Sequence, residues 1–345
     1  MNELELNLFT KHPLKFRDGK FRILCISDLH GVGNYDTRIL RDLDALLDNS
    51  KPDFVFVLGD MVWHDCETEK TAMESFCDDF FGVLENRKIP WSYTFGNHDC
   101  NTVRAPFDQR EVYAKYEYCM NKPSPENVFG HSNYVLPIRN SRDEIAFNIW
   151  SLDSHDTIGD YRTELQLPTE TKWDRECARP LSLYSEAGNY DTVRPSQVMW
   201  YYNSSLALES YAGKKIPGLL GMHMPVPEFA LVPRNPAHLH FFGNLRESIG
   251  ASPLNSGLFT FILDRGDIKH ICVGHDHIND FSGEYYGIGL EYDGGFNYDG
   301  YCDDDMRGGR IYEIDEENPQ NVNTYMVRVK DFVADYPGQC RRKND

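Results

Sequence analysis

Residues 21–27 and 53–59 are short, mostly apolar runs, each leading into an aspartate, the pattern of strands covered on both faces of a sheet. Between them Ile39, Leu40, Leu43, Leu46 and Leu47 recur at helical spacing behind Asp36, a predicted N-cap. The stretch therefore predicts a β-α-β unit. Met73, Phe76, Cys77, Phe80, Phe81 and Leu84 repeat a helical apolar face, and 91–96 predicts a third strand that runs into Gly96-Asn97-His98-Asp99. These aromatics read as core.

Residues 101–144 are polar and proline-containing, and predict irregular structure around a helix near 109–120. A strand is expected at 145–153, a helix from Pro195 to about 209, a strand at 219–224 and a loop at 232–246. The stretch 155–194 has no clear period and reads as a functional rim or lid. From 267 onward the pattern turns strand-rich, with runs at 268–274, 286–293, 310–315 and 324–329 between Gly and Asp turns. Helices crowd the front and hairpins the back, which predicts two packed sheets flanked by helices in one domain.

Composition narrows the class. At 41% hydrophobic and 26% charged the chain is that of a folded protein, and no apolar run approaches the roughly 20 residues needed to span a bilayer. The first eight residues carry two glutamates and no basic start, so no secretory signal is expected. With 35 basic against 54 acidic residues the net charge is −19, which argues against a nucleic-acid or acidic-lipid surface and means that an anionic substrate needs a local positive site. Nine cysteines without a CxxC pair read as reduced thiols, and the expected compartment is the cytoplasm. A monomer is the default expectation.

Five segments place metal-capable side chains directly after an apolar strand: Asp28-Leu29-His30, Gly59-Asp60, Asn97-His98-Asp99, Gly221-Met222-His223 and Gly274-His275-Asp276-His277. Loops at strand ends are where α/β sheets gather ligands. Singly, each fragment suits a turn; five in one chain do not arise from turn chemistry alone. No kinase-like phosphate loop and no serine-hydrolase elbow occurs, so nucleotide-driven and serine chemistries fall away.

In this order the blocks resemble the calcineurin-like metallophosphoesterases, whose pattern is D-x-H, G-D, G-N-H-D/E, a lone H and G-H-x-H. The wording around His223, MHMPVPEF, and at 274–283, GHDHINDFSG, is similar to the branch of fungal dosage-dependent cell-cycle regulator phosphatases and plant purple-acid-phosphatase-like proteins. The resemblance spans about residues 22 to 310. It implies a four-layer αββα sandwich of two mixed β-sheets flanked by helices. It also implies a single domain over 1–345, with its core at about 20–330 and 331–345 as a C-terminal tail.

The same resemblance implies two divalent or mixed-valence ions. Asp28, His30, Asp60 and His277 would hold the first; Asp60, Asn97, His223 and His275 the second; Asp60 bridges. Carboxylate and imidazole donors suit manganese, iron or zinc. Two divalent ions, two aspartates and a bridging hydroxide leave a charge of about +1, the local attraction that the acidic chain lacks. The implied reaction is hydrolysis of a phosphate monoester by in-line attack of a metal-bound hydroxide. The implied substrates are a phosphorylated small molecule or a phosphoprotein; a phosphodiesterase and an inactive binding scaffold are the alternatives.

By the same analogy His98 touches the phosphoryl or leaving oxygen and protonates it. Asp99 would orient His98 as a catalytic partner, and Asp276 would orient a ligating imidazole, unless each is a plain turn residue. Arg246, His155 and His64 are candidate substrate contacts, with a surface ion pair the alternative for Arg246. One position departs from the family's purple members, which carry an iron-binding tyrosine three residues after the bridging aspartate. Here that position is Trp63, whose indole cannot be such a ligand, so a colourless protein is expected.

Overall fold

The computed structural model describes residues 7–63, 65–99, 109–156, 190–234 and 241–334. Two mixed sheets pack face to face. One runs β12-β11-β2-β3-β4, built from Val322–Arg328, Gly308–Asp315, Lys20–Ile26, Phe54–Leu58 and Trp91–Thr94. The other runs β1-β5-β6-β7-β8-β10-β9, built from Leu14–Lys15, Tyr134–Arg139, Ile145–Ser151, Gly218–Gly221, Ile268–Val273, Ile288–Tyr292 and Ser282–Tyr285. Strands β2, β3 and β4 are parallel, as are β6, β7, β8 and β10, so their C-terminal ends share one edge of each sheet.

The apolar runs are fully buried because every strand residue has a layer to face. Along β3, Phe54, Phe56 and Leu58 point into the core between the sheets, whereas Val55 and Val57 point to the outer helices. Strands β6 to β8 mirror this: Ile149, Leu219 and Cys272 face the inter-sheet core, and Trp150, Leu220, Ile271 and Val273 face outward. Helices α1 (Arg38–Ser50) and α3 (Lys70–Arg87), the latter preceded by the short α2 (Asp65–Thr68), cover the first sheet. After the short α4 (Gln109–Tyr113), α5 (Pro195–Ala212) and α6 (Leu258–Arg265) cover the second. The order of layers is helix, sheet, sheet, helix.

Several expectations are corrected. The helix at 109–120 stops at Tyr113, because the following chain pairs with the edge of β4: the Trp91 N–H donates to the Tyr118 carbonyl and the Met120 N–H to that of Trp91. The irregular stretch 101–144 contains strand β5. The strand at 286–293 begins only at Ile288, since Tyr286 and Gly287 form the β9–β10 hairpin turn at φ 50° and 78°. Asp36 is not the N-cap of α1; Thr37 is, without a side-chain cap, and Asp36 binds the Arg38 guanidinium and N–H. Cys25, Cys66, Cys77, Cys119 and Cys272 are buried and free, but Cys302 is disulfide-bonded, its partner lying outside the described residues. The reading of nine reduced thiols therefore fails at Cys302. Among the described residues no helix is long and apolar enough to cross a membrane.

Candidate metal centre

The five segments meet where the C-terminal ends of β2, β3 and β4 face those of β7 and β8. The loops continue the pairing of their strands: the Asp28 N–H donates to the Gly59 carbonyl, His30 N–H to Asp60, and Gly274 N–H to His223. Each loop then turns sharply. Asp28, His30, Asp60 and His275 all adopt left-handed backbone, at φ 54°, 48°, 49° and 73°, which is costly for a residue with a Cβ and clusters at functional sites. The adjoining glycines answer a steric demand: a Cβ on Gly96 would lie 2.2 Å from Asp60 Oδ1, and one on Gly274 would lie 2.3 Å from Ser27 Oγ.

The side chains converge in two groups, Asp28 with His30 and His277, and Asp60 with His223 and His275, each offering ligand atoms within 4.8 Å of one another. Asp60 Oδ2 stands between them, 3.7 Å from His30 Nε2 and 3.3 Å from His223 Nε2. Asn97 Oδ1 is 3.2 Å from His223 Nε2, and His275 Nδ1 is 3.3 Å from the same atom. On the other side His277 Nε2 is 3.2 Å from Asp28 Oδ1 and 3.1 Å from His30 Nε2. The seven positions read as ligands in the sequence are thus brought together.

These residues fit a cation. His223 Nδ1–H donates to the Leu58 carbonyl at 2.7 Å and His277 Nδ1–H to the Tyr301 carbonyl at 2.6 Å, so in each it is Nε2 that faces the carboxylate, amide and imidazole groups and is the atom free to bind a cation. Asp28 Oδ1 and His30 Nδ1 are buried without a hydrogen-bond partner. The buried carboxylates call for positive charge at their centre, which a bound cation would supply and which the histidines must otherwise carry themselves. The electrostatics agree. Burial opposes a charged His223, yet Asp60 and Asp28 push its pKa up to about 10. Burial, together with the neighbouring His223, drives His275 down to about 3. Burial also opposes ionisation of Asp28 and Asp60, but the surrounding imidazoles hold both carboxyls below the usual range.

A sequence profile of the calcineurin-like phosphoesterases matches residues 21–279. The chain belongs to that family. It is 30% identical over 327 residues to "Probable inactive purple acid phosphatase 14" of Arabidopsis thaliana, covering 85% of this chain and 75% of that protein. It is 27% identical over 300 residues to "Phosphatase DCR2" of Saccharomyces cerevisiae, covering 76% of this chain and 45% of that one. Among solved structures, "GAP50 the anchor in the inner membrane complex of Plasmodium" shares the fold at 12% identity and a TM-score of 0.51, over 94% of this chain and 91% of that one.

The remaining predicted residues divide between the rim of this site and places away from it. His98 stands at the rim, partly exposed, with its N–H donated to Asp60 Oδ1 at 2.9 Å. Trp63 packs edge-on against His30 and His98, ring centroids 5.0 and 5.5 Å apart, so the indole shapes the wall where the purple members carry their phenol. One grouping also places His98 with His30 and Asp60 within 4.8 Å, so His98 lies nearer the ligands than a remote acid would.

Four expectations are revised. Asp99 does not orient His98: its Oδ1 accepts the N–H groups of Met61 and Val62 and its Oδ2 that of Gly96, which pins the Asp60 loop to the Asn97 loop. Asp276 holds the Gly250 N–H and the Tyr292 hydroxyl instead of orienting a ligand imidazole. Arg246 pairs with Asp303 on the surface. His155 is only 6% exposed, its Nε2 2.7 Å from Gln197 Oε1 and its Nδ1 3.4 Å from Asp153, so it ties the end of β6 to the start of α5. His64 and residues 157–189 of the expected rim lie outside the described residues.

Other contributors carry no motif. Tyr301 stacks flat on His277, and Tyr190 sets its ring perpendicular to that of His275 at 4.3 Å. Ser27 Oγ lies 2.5 Å from Asp28 Oδ2 and 2.7 Å from Asp293 Oδ1. One hydroxyl proton cannot serve both oxygens. Burial, reinforced by Asp28, raises the Asp293 carboxyl well above the usual range, so a protonated Asp293 donates to Ser27, which donates to Asp28. The signal for Asp293 was the aspartate that closes an apolar run, the same cue that marked Asp28.

Proposed function

We propose that the chain hydrolyses phosphate monoesters at a dinuclear metal centre. The reading is carried by the convergence of the seven donor side chains around the buried, unpartnered Asp28 Oδ1. When bound, the two ions supply positive charge to the phosphoryl oxygens and lower the pKa of water to give a nucleophile at neutral pH. The chain's own part is placement. Asp60, between the two groups, joins them; Asn97 adds an uncharged oxygen; and His98, held at the rim through its amide, faces the phosphoryl or leaving oxygen. Manganese, iron and zinc suit the donors.

A monoester is favoured over a diester by similarity to a protein whose name reads phosphatase. The names of the Arabidopsis relatives favour an inactive scaffold as the second reading. Against it stands the complete donor set here. Elemental analysis with manganese rescue, assayed on para-nitrophenyl phosphate, its bis ester and a 2′,3′-cyclic nucleotide, separates the readings. Two ions per chain with monoester turnover supports the proposal, and faster diester turnover selects the phosphodiesterase. Two ions without turnover selects the scaffold, and a chain that takes up no ion ends the dinuclear reading.

The proposed substrate is a phosphorylated small molecule or phosphoprotein, handled by a monomer. A cytoplasmic site agrees with the five free buried cysteines, whereas the Cys302 disulfide favours an oxidising compartment. Thiol titration of the purified protein before and after reduction decides whether that bond persists.

A further inference from the structure

Tyr301 meets the metal-site His277 through both its backbone carbonyl and its ring, although no sequence block marks it. We infer that Tyr301 is the positioning residue for His277, and that it sets how tightly the Asp28–His30–His277 half holds its ion; the inference rests on the dinuclear reading above. The His277 Nδ1–H donates to the Tyr301 carbonyl at 2.6 Å, and the phenol ring lies on the imidazole with centroids 4.0 Å apart and planes 4° from parallel. The first contact selects the tautomer that leaves Nε2 bare. The second fixes the plane in which Nε2 points.

Tyr301 is itself anchored. Its hydroxyl donates to the Glu247 carboxylate, 3.1 and 3.2 Å from the two oxygens. Glu247 Oε1 also accepts the N–H of Ile278, the residue after His277, at 3.0 Å. The contacts therefore close a circuit from the His277 ring through Tyr301 and Glu247 to the His277 backbone. The loop that carries Tyr301 is fastened from below, where fully buried Arg307 donates to the Asn297 carbonyl and Asn297 Oδ1 accepts the Gly300 N–H. In the other half His223 is likewise oriented by a backbone carbonyl, that of Leu58 within β3, but among the described residues no ring stacks flat on it; Tyr190 only sets its edge against His275.

The test is a manganese titration of the full chain by calorimetry, comparing the unmodified protein with Tyr301→Phe and Tyr301→Ala, with thermal melts alongside. Loss of an outer partner of a metal-bound histidine weakens binding by about 10- to 100-fold. Tyr301→Ala keeps the carbonyl but removes the stacked ring and the Glu247 anchor, and should weaken one of two binding steps by about 10-fold or more and leave the other in place. Tyr301→Phe keeps the stacked ring and loses only the Glu247 anchor, so it should move the same step by roughly 3- to 10-fold. If alanine prevents folding, the phenylalanine variant decides. Equal shifts in both steps, or none in either, overturn the inference while the two-step uptake of the unmodified protein leaves the dinuclear reading standing. An unmodified chain that binds no manganese overturns both.

Discussion

The two halves of the metal centre are held by different kinds of structure. Around His223 the support is a strand: Leu58 ends β3, and its carbonyl takes the ring N–H. Around His277 and Asp28 the support is side chains and loop backbone, namely Tyr301, Ser27 and Asp293, with Ser27 and Asp293 lying 266 positions apart in the chain. A strand carbonyl is fixed by the whole sheet, whereas an outer partner drawn from a loop can be altered one side chain at a time. The His223 half is accordingly the rigid one and the His277 half the tunable one.

The largest expected effect erases the difference. Asp60 faces both halves, so Asp60→Ala should abolish uptake of both ions, read by elemental analysis after metal loading. Gly59→Ala strikes the strand-borne half: its Cβ would lie 2.7 Å from Gly96 N and 2.8 Å from His223 Nδ1 at φ 90°. A loss of about 1–3 kcal/mol in urea denaturation is expected, with binding of the His223-side ion weakened. Ser27→Ala removes the donor to Asp28 Oδ2 and should weaken only the His277-side ion, by about 10-fold in a metal-buffer competition. Asp293→Asn should do less, because its amide can still donate to Ser27. The smallest effect is spectroscopic. The iron-loaded protein should show no intense visible band, and Trp63→Tyr should introduce one on the His30 side; a band in the unmodified protein would place a phenolate on iron from elsewhere.

The same contrast separates what could be read in the sequence from what could not. Asp28, Asp60, Asn97, His223 and the two histidines after β8 were legible because each directly follows an apolar run, and a strand carries its end to a fixed place in a sheet. Strands β2, β3 and β8 were legible because burial on both faces leaves them almost wholly apolar. Tyr301 and Glu247 act through contacts made across the fold, and nothing in their neighbours along the chain announces them; Asp293 closes an apolar run as Asp28 does, but no second ligand-type residue follows it to mark a site. Asp99 misled for a related reason. Its place beside His98 suggested a partner for the ring, but three backbone amides of converging loops outcompete one imidazole for a buried carboxylate. Helix α6 was missed because eight residues give too short a period, and the 109–120 helix was overstated because pairing with β4 outweighs local propensity.

Asp28, His30, Asp60 and His275 all leave a backbone bent the left-handed way, each bend costing roughly 1–2 kcal/mol by itself. The letters of these motifs are therefore not portable. Copied into an ordinary turn of another scaffold, D-x-H or G-H-x-H would send its carboxylate and imidazoles in other directions. A working transplant has to carry the crowding glycines and neighbouring loops that hold the chain in that unfavourable curve.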